Sequence, residues 1–302
     1  MTVCLIGGNL IPSHQPKAAA RSQSSGPQHQ STPHSYPKGQ MPTPDTLPQF
    51  IDTVRSNALA HTESLPDFIC MQKTRRLANF GELADWRFVD QIVAEISYRQ
   101  GKEHSRILTI DNKPPSPRQS LEIPGFSSEG DFGNALYLLF APESNASFTM
   151  EGSERIRKRK TLRIRYYVPL PTSRFHIGLG GQIVTTPYSG RCWIDLESHQ
   201  VVRLDSEAED IPRSIPVTSS SHSTEYDLVD IAGTKYWLPV HSSVEMHLAN
   251  GPQEMDLYKA LYGRIDPTGA SNTARKVDAR NDIEYKQYRK FGAETRLVPT
   301  DE

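Results

Sequence analysis

Features that would assign a protein class at once are scarce in this chain of 302 residues. Its three cysteines include no C-x-x-C pair, which argues against a disulfide-dense scaffold or a zinc ribbon. No uninterrupted apolar run approaches the roughly 18 residues that a membrane-spanning helix requires. Lys and Arg number 34 against 35 Asp and Glu, so the chain lacks the basic excess typical of a nucleic-acid binder. We therefore expect no nucleic-acid partner.

Motifs of nucleophilic, phosphate-binding and metal-dependent catalysis are also absent from the sequence. Neither G-x-S-x-G nor H-E-x-x-H occurs, and no cysteine has an evident His and Asp partner set. The run Gly178–Gly181 lacks the Lys-Ser/Thr of a phosphate-binding loop and is typical of a hairpin turn. We predict that the protein is not an enzyme and needs neither a cofactor nor a metal ion.

The N-terminal segment is rich in proline, with eight prolines between residues 12 and 48 among Ser, Gln and His. Ordering such a segment costs chain entropy with little apolar burial to offset it. We predict a disordered segment at 1–47 and one folded domain at 48–302. The apolar stretch 3–11 is too short, and lacks the basic residues, for an intact secretory signal. Whether it is the remainder of a truncated signal stays open.

Two short helices are predicted in the folded region. The first spans about 48–61, where apolar residues recur at helical spacing behind a proline suited to a first turn. The second spans about 130–140 and ends before Pro142. Each helix has one apolar side, which we expect to pack against the rest of the domain.

Most of the remaining chain alternates between apolar and polar residues, as β-strands with one buried face do. Short hairpin-like turns connect these runs, which predicts a large, mainly antiparallel sheet. Because two helices are too few to cover a flat sheet of this size, we expect it to curve strongly. The predicted fold is mainly β (α+β): an incomplete β-barrel with two short helices on its concave face.

Two separate polar candidates for a functional site are Asp90 and a group of strand residues, His241, Glu245 and His247. The last three share one face of a strand and could hold a metal ion, but the opposite face is the apolar one. We therefore interpret these three as exposed residues. Asp90 lies on an otherwise apolar strand face, where burial would raise its pKa. A bulge or a hydrogen bond to a neighbouring strand explains it as well as a general acid does, and no partner group can be assigned.

The charged segments and the cysteines have structural interpretations. The basic segment 155–165 could contact phosphate or anionic lipid, but pairing with the acidic stretch 205–210 across the sheet explains it more simply. Cys70 and Cys192 lie on predicted strands. They could form a disulfide in an exported protein, or remain small core residues.

Several segments in the folded region resemble outer-membrane lipoprotein-sorting proteins of the LolA/LolB-like superfamily and an uncharacterised bacterial envelope branch allied to it. These segments, in chain order, are Leu65–Cys70, Gly190–Asp195 with Val202–Leu204, Asp210–Pro212, Leu238–Val240 and Tyr288–Phe291. The resemblance spans about residues 48–302. It implies a strongly curved, incomplete antiparallel barrel with helices in its mouth, located in the periplasm or cell envelope.

The resemblance also implies a non-enzymatic function, in which the half-barrel binds a lipoprotein acyl chain or another lipid. Peripheral contact with a membrane is compatible with this function, and the sequence identifies no protein partner. The alternative is an interaction module of the same fold with a packed interior and no ligand. The residues predicted to form the apolar lining are Trp86, Phe88, Ile92, Phe132, Leu136, Phe140, Leu162, Ile164, Tyr166, Phe175, Ile177, Ile194 and Leu204.

Overall fold

The computed structural model describes residues 2–6, 35–79, 86–116, 126–129, 132, 134–179, 182–248 and 278–292. Its α-helices are α1 (Leu47–Ser64) and α2 (Asn134–Phe140). Its strands are β1 (Thr2–Ile6), β2 (Phe68–Asn79), β3 (Arg87–Arg99), β4 (Lys102–Ile110), β5 (Phe126–Glu129), β6 (Ser147–Ile156), β7 (Arg159–Val168), β8 (Phe175–Leu179), β9 (Gln182–Thr186), β10 (Tyr188–Asp195), β11 (Val201–Ala208), β12 (Val217–Ile231), β13 (Thr234–Leu248) and β14 (Asp278–Lys290).

One antiparallel sheet of ten strands dominates the described part of the chain, in the order β4-β3-β2-β14-β13-β12-β11-β10-β7-β6. The outer strands β4 and β6 are not paired with each other, so the sheet stays open. β14 lies between β13 and β2, where it connects the C-terminal hairpins to the N-terminal ones. This arrangement confirms the predicted mainly β fold with an incomplete barrel.

A second sheet has four strands in the order β5-β1-β8-β9. β1 pairs in parallel with β5 and antiparallel with β8, which brings the N-terminal strand against the middle of the chain. Of the segment 1–47 that is predicted to be disordered, residues 7–34 lie outside the described residues. Nearer the domain, Tyr36 is buried and packs edge-on against Phe50.

The two faces of the large sheet differ sharply in burial. Along β2, β3, β7, β12 and β13 buried side chains alternate with more exposed ones, as expected when one face meets the core and the other meets solvent. Both helices pack on the concave, buried face. The helices themselves were predicted from the sequence, and α1 is longer than predicted because it continues to Ser64.

The alternation breaks at one place in β3. Arg76 of β2 pairs with Asp90, and the next residue, Leu77, pairs with Phe88, so Val89 is an extra residue in a β-bulge. With a bulge of one residue, side chains on its two sides no longer follow one common alternation between the faces of the sheet. As a consequence, Phe88 lies outside the core although it matches the sequence periodicity of Ile92 and Ile96.

Candidate functional site

The predicted apolar lining is largely buried on the concave side. Except for Trp86 and Phe88, every residue assigned to it is buried. Nine of these residues belong to one hydrophobic cluster, which we call the helix-side cluster: Leu136, Phe140, Leu162, Ile164, Tyr166, Phe175, Ile177, Ile194 and Leu204. Phe132 belongs to a second cluster, and Ile92 is buried on β3. The structure therefore brings most of the predicted lining together, whereas ligand contact stays a prediction.

Phe88 and Trp86 differ from the rest of the predicted lining. Phe88 is 55% exposed because the bulge at Val89 turns it away from the concave face. Its assignment to the lining is wrong. Trp86 is half-buried and lies just before β3. The periodic pattern extended over both residues, and no feature of the sequence marks the bulge that interrupts it.

Helix α1 covers the helix-side cluster with the apolar side chains of Phe50, Ile51, Val54 and Ala58. α2 contributes Ala135, Leu136, Leu139 and Phe140 to the same cluster. One polar contact of α1 reaches the main chain of α2. Arg55 Nε donates to the carbonyl of Phe140 at 2.9 Å, which joins the two helices.

The turn between β10 and β11 contacts α1 through hydrogen bonds and ring packing. Asn57 Nδ2 donates to the carbonyl oxygens of Ser198 and His199 at 3.3 and 3.4 Å. The buried ring of His199 packs edge-on against Phe50 and Tyr36. Burial lowers the pKa of His199, with the Lys38 charge acting in the same direction and the Pro37 carbonyl, Asp195 and Glu197 opposing it. The neutral imidazole is therefore favoured at this contact.

The second cluster is aromatic and lies at the other end of β2 and β14. We call it the aromatic cluster; its rings are Phe68, Tyr98, Phe132, Tyr285 and Tyr288. The ring of Phe132 lies 5.4 Å from that of Phe68 and 5.1 Å from that of Tyr285, both in edge-on geometry. Phe132 thus anchors the chain just before α2 in a cluster separate from the one that α2 covers.

Asp90, the candidate acid of the sequence, is one half of a buried ion pair. Arg76 Nε and Nη2 donate to its two carboxylate oxygens at 2.6 and 2.5 Å, and both side chains are 1% exposed. Bidentate guanidinium–carboxylate contacts are among the strongest hydrogen bonds in proteins. The inward carboxylate is explained by this pair, next to the bulge of β3, and not by a catalytic partner.

The ion pair belongs to a polar belt that crosses the concave face of the large sheet. Its members are Asp90 of β3, Gln72, Thr74 and Arg76 of β2, Asn281 of β14, Ser242 of β13, Ser220, His222 and Thr224 of β12, and Ser206 of β11. All of them are buried. Thr224 Oγ1 lies 3.0 Å from Ser242 Oγ and 3.2 Å from His222 Nε2. Sequence reasoning anticipated Asp90 and missed the other members.

The belt continues to β7 through a contact that requires Gly190. The hydroxyl of Tyr166 donates to the carbonyl of Asp205 at 2.7 Å and lies 2.7 Å from Ser206 Oγ. Strand β10, with Gly190, runs between the two strands that carry these groups. A Cβ atom at position 190 would come within 1.9 Å of the Asp205 oxygen and 2.6 Å of the Tyr166 hydroxyl. Desolvation raises the pKa of Tyr166 well above its ordinary value, so its hydroxyl stays protonated.

The convex face carries the basic segment 155–165, in which Arg157, Arg159 and Arg163 form ion pairs. Arg157 contacts Glu225 and Asp227, and Arg163 contacts Glu151 at 3.1 Å. Pairing was predicted, but with a different partner segment: these acidic residues lie on β6 and β12, not in 205–210. The guanidinium of Arg191 lowers the pKa of Glu151.

The strand residues His241, Glu245 and His247 do not form a metal site. Each faces a charged residue of β14, and His247 Nδ1 lies 2.8 Å from Asp278 Oδ1. Within the part of the chain that the structure describes, no group of three or more His, Cys, Asp or Glu residues is arranged to hold a metal ion.

Cys70 and Cys192 are free thiols, each completely buried. Cys70 belongs to the aromatic cluster and Cys192 to the helix-side cluster, so the two are not joined by a disulfide. Burial raises the pKa of both thiols, which makes them small core residues and not nucleophiles.

No protein-family model matches this chain, and no curated protein sequence does. Among solved structures, the chain is similar to a DUF1329 family protein from Desulfovibrio piger, at 11% identity over 82% of this chain and 95% of that one, with a TM-score of 0.37. It is also similar to an outer membrane lipoprotein-sorting protein domain from Vibrio parahaemolyticus, at 9% identity over 82% and 93% of the two chains, with a TM-score of 0.34.

Proposed function

We propose that this protein binds an apolar ligand, such as a lipoprotein acyl chain or another lipid, on the concave face of its half-barrel without catalysing a reaction. One observation carries the proposal: a broad apolar concave face, open at both sheet edges, is covered by two short helices that pack on it mainly through apolar side chains. Such a cover can separate from the sheet without breaking the sheet's own hydrogen bonds.

Burying the apolar side chains of α1 and burying an acyl chain on the sheet contribute free energies of comparable size. Burying Phe50, Ile51 and Val54 of α1 contributes roughly 5–9 kcal/mol, at about 1.5–3 kcal/mol per large apolar side chain. An acyl chain that buries about ten methylene groups contributes roughly 8 kcal/mol, at about 0.8 kcal/mol for each. Because apolar burial is non-directional, the ligand can replace the helix on the same surface. Binding therefore exchanges one apolar partner of the sheet for another.

The cell envelope is the proposed location, on its periplasmic side. This part of the proposal rests on the resemblance of the sequence segments to lipoprotein-sorting proteins. Among the described residues, none of the helices combines the length and apolar character needed to cross a bilayer. We propose that any contact with a membrane is peripheral and serves the transfer of the ligand.

Lipid extraction from protein purified from its native host, followed by mass spectrometry, tests the proposal. We expect one acylated compound in a stoichiometric amount. Hydrogen–deuterium exchange then tests the mechanism, because adding that compound to stripped protein should speed exchange in α1 while leaving β13 protected. A protein that is free of lipid and takes up none would instead favour an interaction module with a packed interior, and would overturn the proposal.

A further inference from the structure

On three adjacent strands of the sheet, β2, β14 and β13, the polar belt lies between the two apolar clusters, whereas on β11 and β12 the helix-side cluster flanks it on both sides. Along β2 the aromatic cluster residues Phe68 and Cys70 come first, then the belt residues, then Ala78 of the helix-side cluster. Along β14 the same order appears in reverse, with Asn281 between Ala279 and Ile283. On these two strands the belt residues therefore lie between two apolar regions.

β13, which neighbours β14, has the same arrangement. Leu238 belongs to the aromatic cluster, Ser242 to the belt, and Val244 to the helix-side cluster. Three adjacent strands thus share one sequence of environments: apolar, polar, apolar. A face evolved to hold only hydrocarbon would not bury polar side chains in this way, because each of them costs free energy when it is removed from water.

The belt carries no net formal charge from its ionic members. Arg76 and Asp90 are its guanidinium and its carboxylate, and they neutralise each other in the bidentate pair. The other members are hydroxyl, amide and imidazole groups, which are donors or acceptors of ordinary hydrogen bonds. An anionic group placed beside the belt would lose its hydration and meet a cation whose charge is already balanced.

We infer that the ligand is an amphiphile whose polar group is uncharged, a hydroxyl, ester or amide, and lies at the belt while its hydrocarbon occupies a neighbouring apolar compartment. This inference rests on the proposed function. It narrows the class of ligand from any apolar chain to lipids with a neutral polar group. Lipids that carry a phosphate group and simple hydrocarbons are disfavoured.

Three probes with similar 18-carbon chains test the inference: monooleoylglycerol, oleoyl lysophosphatidic acid and 1-octadecene. Their affinities are measured with the full-length protein by displacement of 1-N-phenylnaphthylamine. We expect monooleoylglycerol to bind at least tenfold more tightly than either of the others. Equal affinities, or tightest binding of the phosphate-bearing probe, would overturn the inference and leave the proposed function standing. Binding of none of the probes would overturn both.

A pair of variants locates the preference at the belt. Thr224→Val with Ser242→Ala removes both partners of the 3.0 Å contact on β12 and β13. Removing both partners of a buried hydrogen bond perturbs stability far less than removing one, although Thr224→Val also removes the 3.2 Å contact with His222 Nε2. We expect the preference for monooleoylglycerol over 1-octadecene to fall about tenfold. The single variant Ser242→Ala should lower it in the same direction.

The matched control lies on the opposite face of the same two strands. Ser223 and Ser243 are direct cross-strand neighbours and alternate with the belt residues. Ser223→Ala with Ser243→Ala should leave the preference unchanged, with thermal unfolding confirming that each variant is folded. A preference that persists in the belt variants, or that falls equally in the control, would overturn the assignment of the polar group to the belt.

Discussion

The buried pair of Arg76 and Asp90 provides a prediction whose size follows directly from its geometry. Both side chains are 1% exposed, and two hydrogen bonds of 2.6 and 2.5 Å join them. Replacing Arg76 with Met removes the guanidinium while its carboxylate partner stays in the core. Breaking a buried ion pair by removing one partner costs about 3–5 kcal/mol, so we expect a loss of that size in the free energy of unfolding.

This loss is large enough to measure in two independent ways. For a domain of this size, about 1 kcal/mol corresponds to a change of roughly 2–4 °C in Tm, so Arg76→Met should melt about 6–20 °C lower. Urea unfolding followed by circular dichroism should show a lower midpoint with an unchanged slope. Adding Asp90→Asn to Arg76→Met should recover part of the loss, because the carboxylate no longer needs its countercharge.

The exposed ion pair between Arg106 and Glu95, on the other face of β3, is the control for Arg76→Met. Arg106 Nη2 lies 2.9 Å from Glu95 Oε1, but its side chain is 65% exposed. Surface pairs of this kind contribute about 0–1 kcal/mol, so Arg106→Met should change stability by no more than that. The reasoning is refuted if Arg76→Met costs no more than Arg106→Met, since burial would then have no effect on the energy of the pair.

Three further predictions concern a glycine, a histidine and the thiols. Gly190→Ala should lower the free energy of unfolding by roughly 1–3 kcal/mol, measured in urea, because its Cβ atom would overlap the Asp205 oxygen; an unchanged midpoint would contradict this. Burial lowers the pKa of His199, so the stability it contributes is complete above about pH 6.5 and is lost as the pH falls toward the lower folded pKa. Denaturant midpoints at pH 7.5 and 5.5 should therefore differ less in His199→Gln than in the unaltered protein. In a Cys4→Ser variant, Cys70 and Cys192 should react with Ellman's reagent only after the protein is unfolded. Fast labelling of the native protein would disprove their burial.

The sequence was sufficient to predict the fold class and most of the core. Alternation over long runs identified β7 and β13 as strands with one buried face, because a period of two requires only local geometry. The residues Ile164 and Ile194 were assigned to the concave side by this pattern, and both are completely buried. Helical spacing behind Pro48 located α1 for the same reason.

The periodicity of the sequence does not predict which side chains meet across neighbouring strands. Only the register of β2 with β3 places Arg76 opposite Asp90. The bulge at Val89, which turns Phe88 outward, is likewise a property of two strands together. Every residue of β12 from Thr218 to Glu225 is polar, so the sequence of this strand gives no period-two signal for the buried face that carries the belt.

The sequence by itself determined that this chain forms a large antiparallel sheet with two short helices, because apolar periodicity and turn residues act over a few neighbouring positions. Tertiary structure alone decided which polar residues meet inside it. The members of the belt come from six strands spread between Gln72 and Asn281, so their proximity depends on strand order and register. Since hydrogen bonds and ion pairs act over a few ångströms in space, the chemistry of the concave face exists only after the sheet has formed.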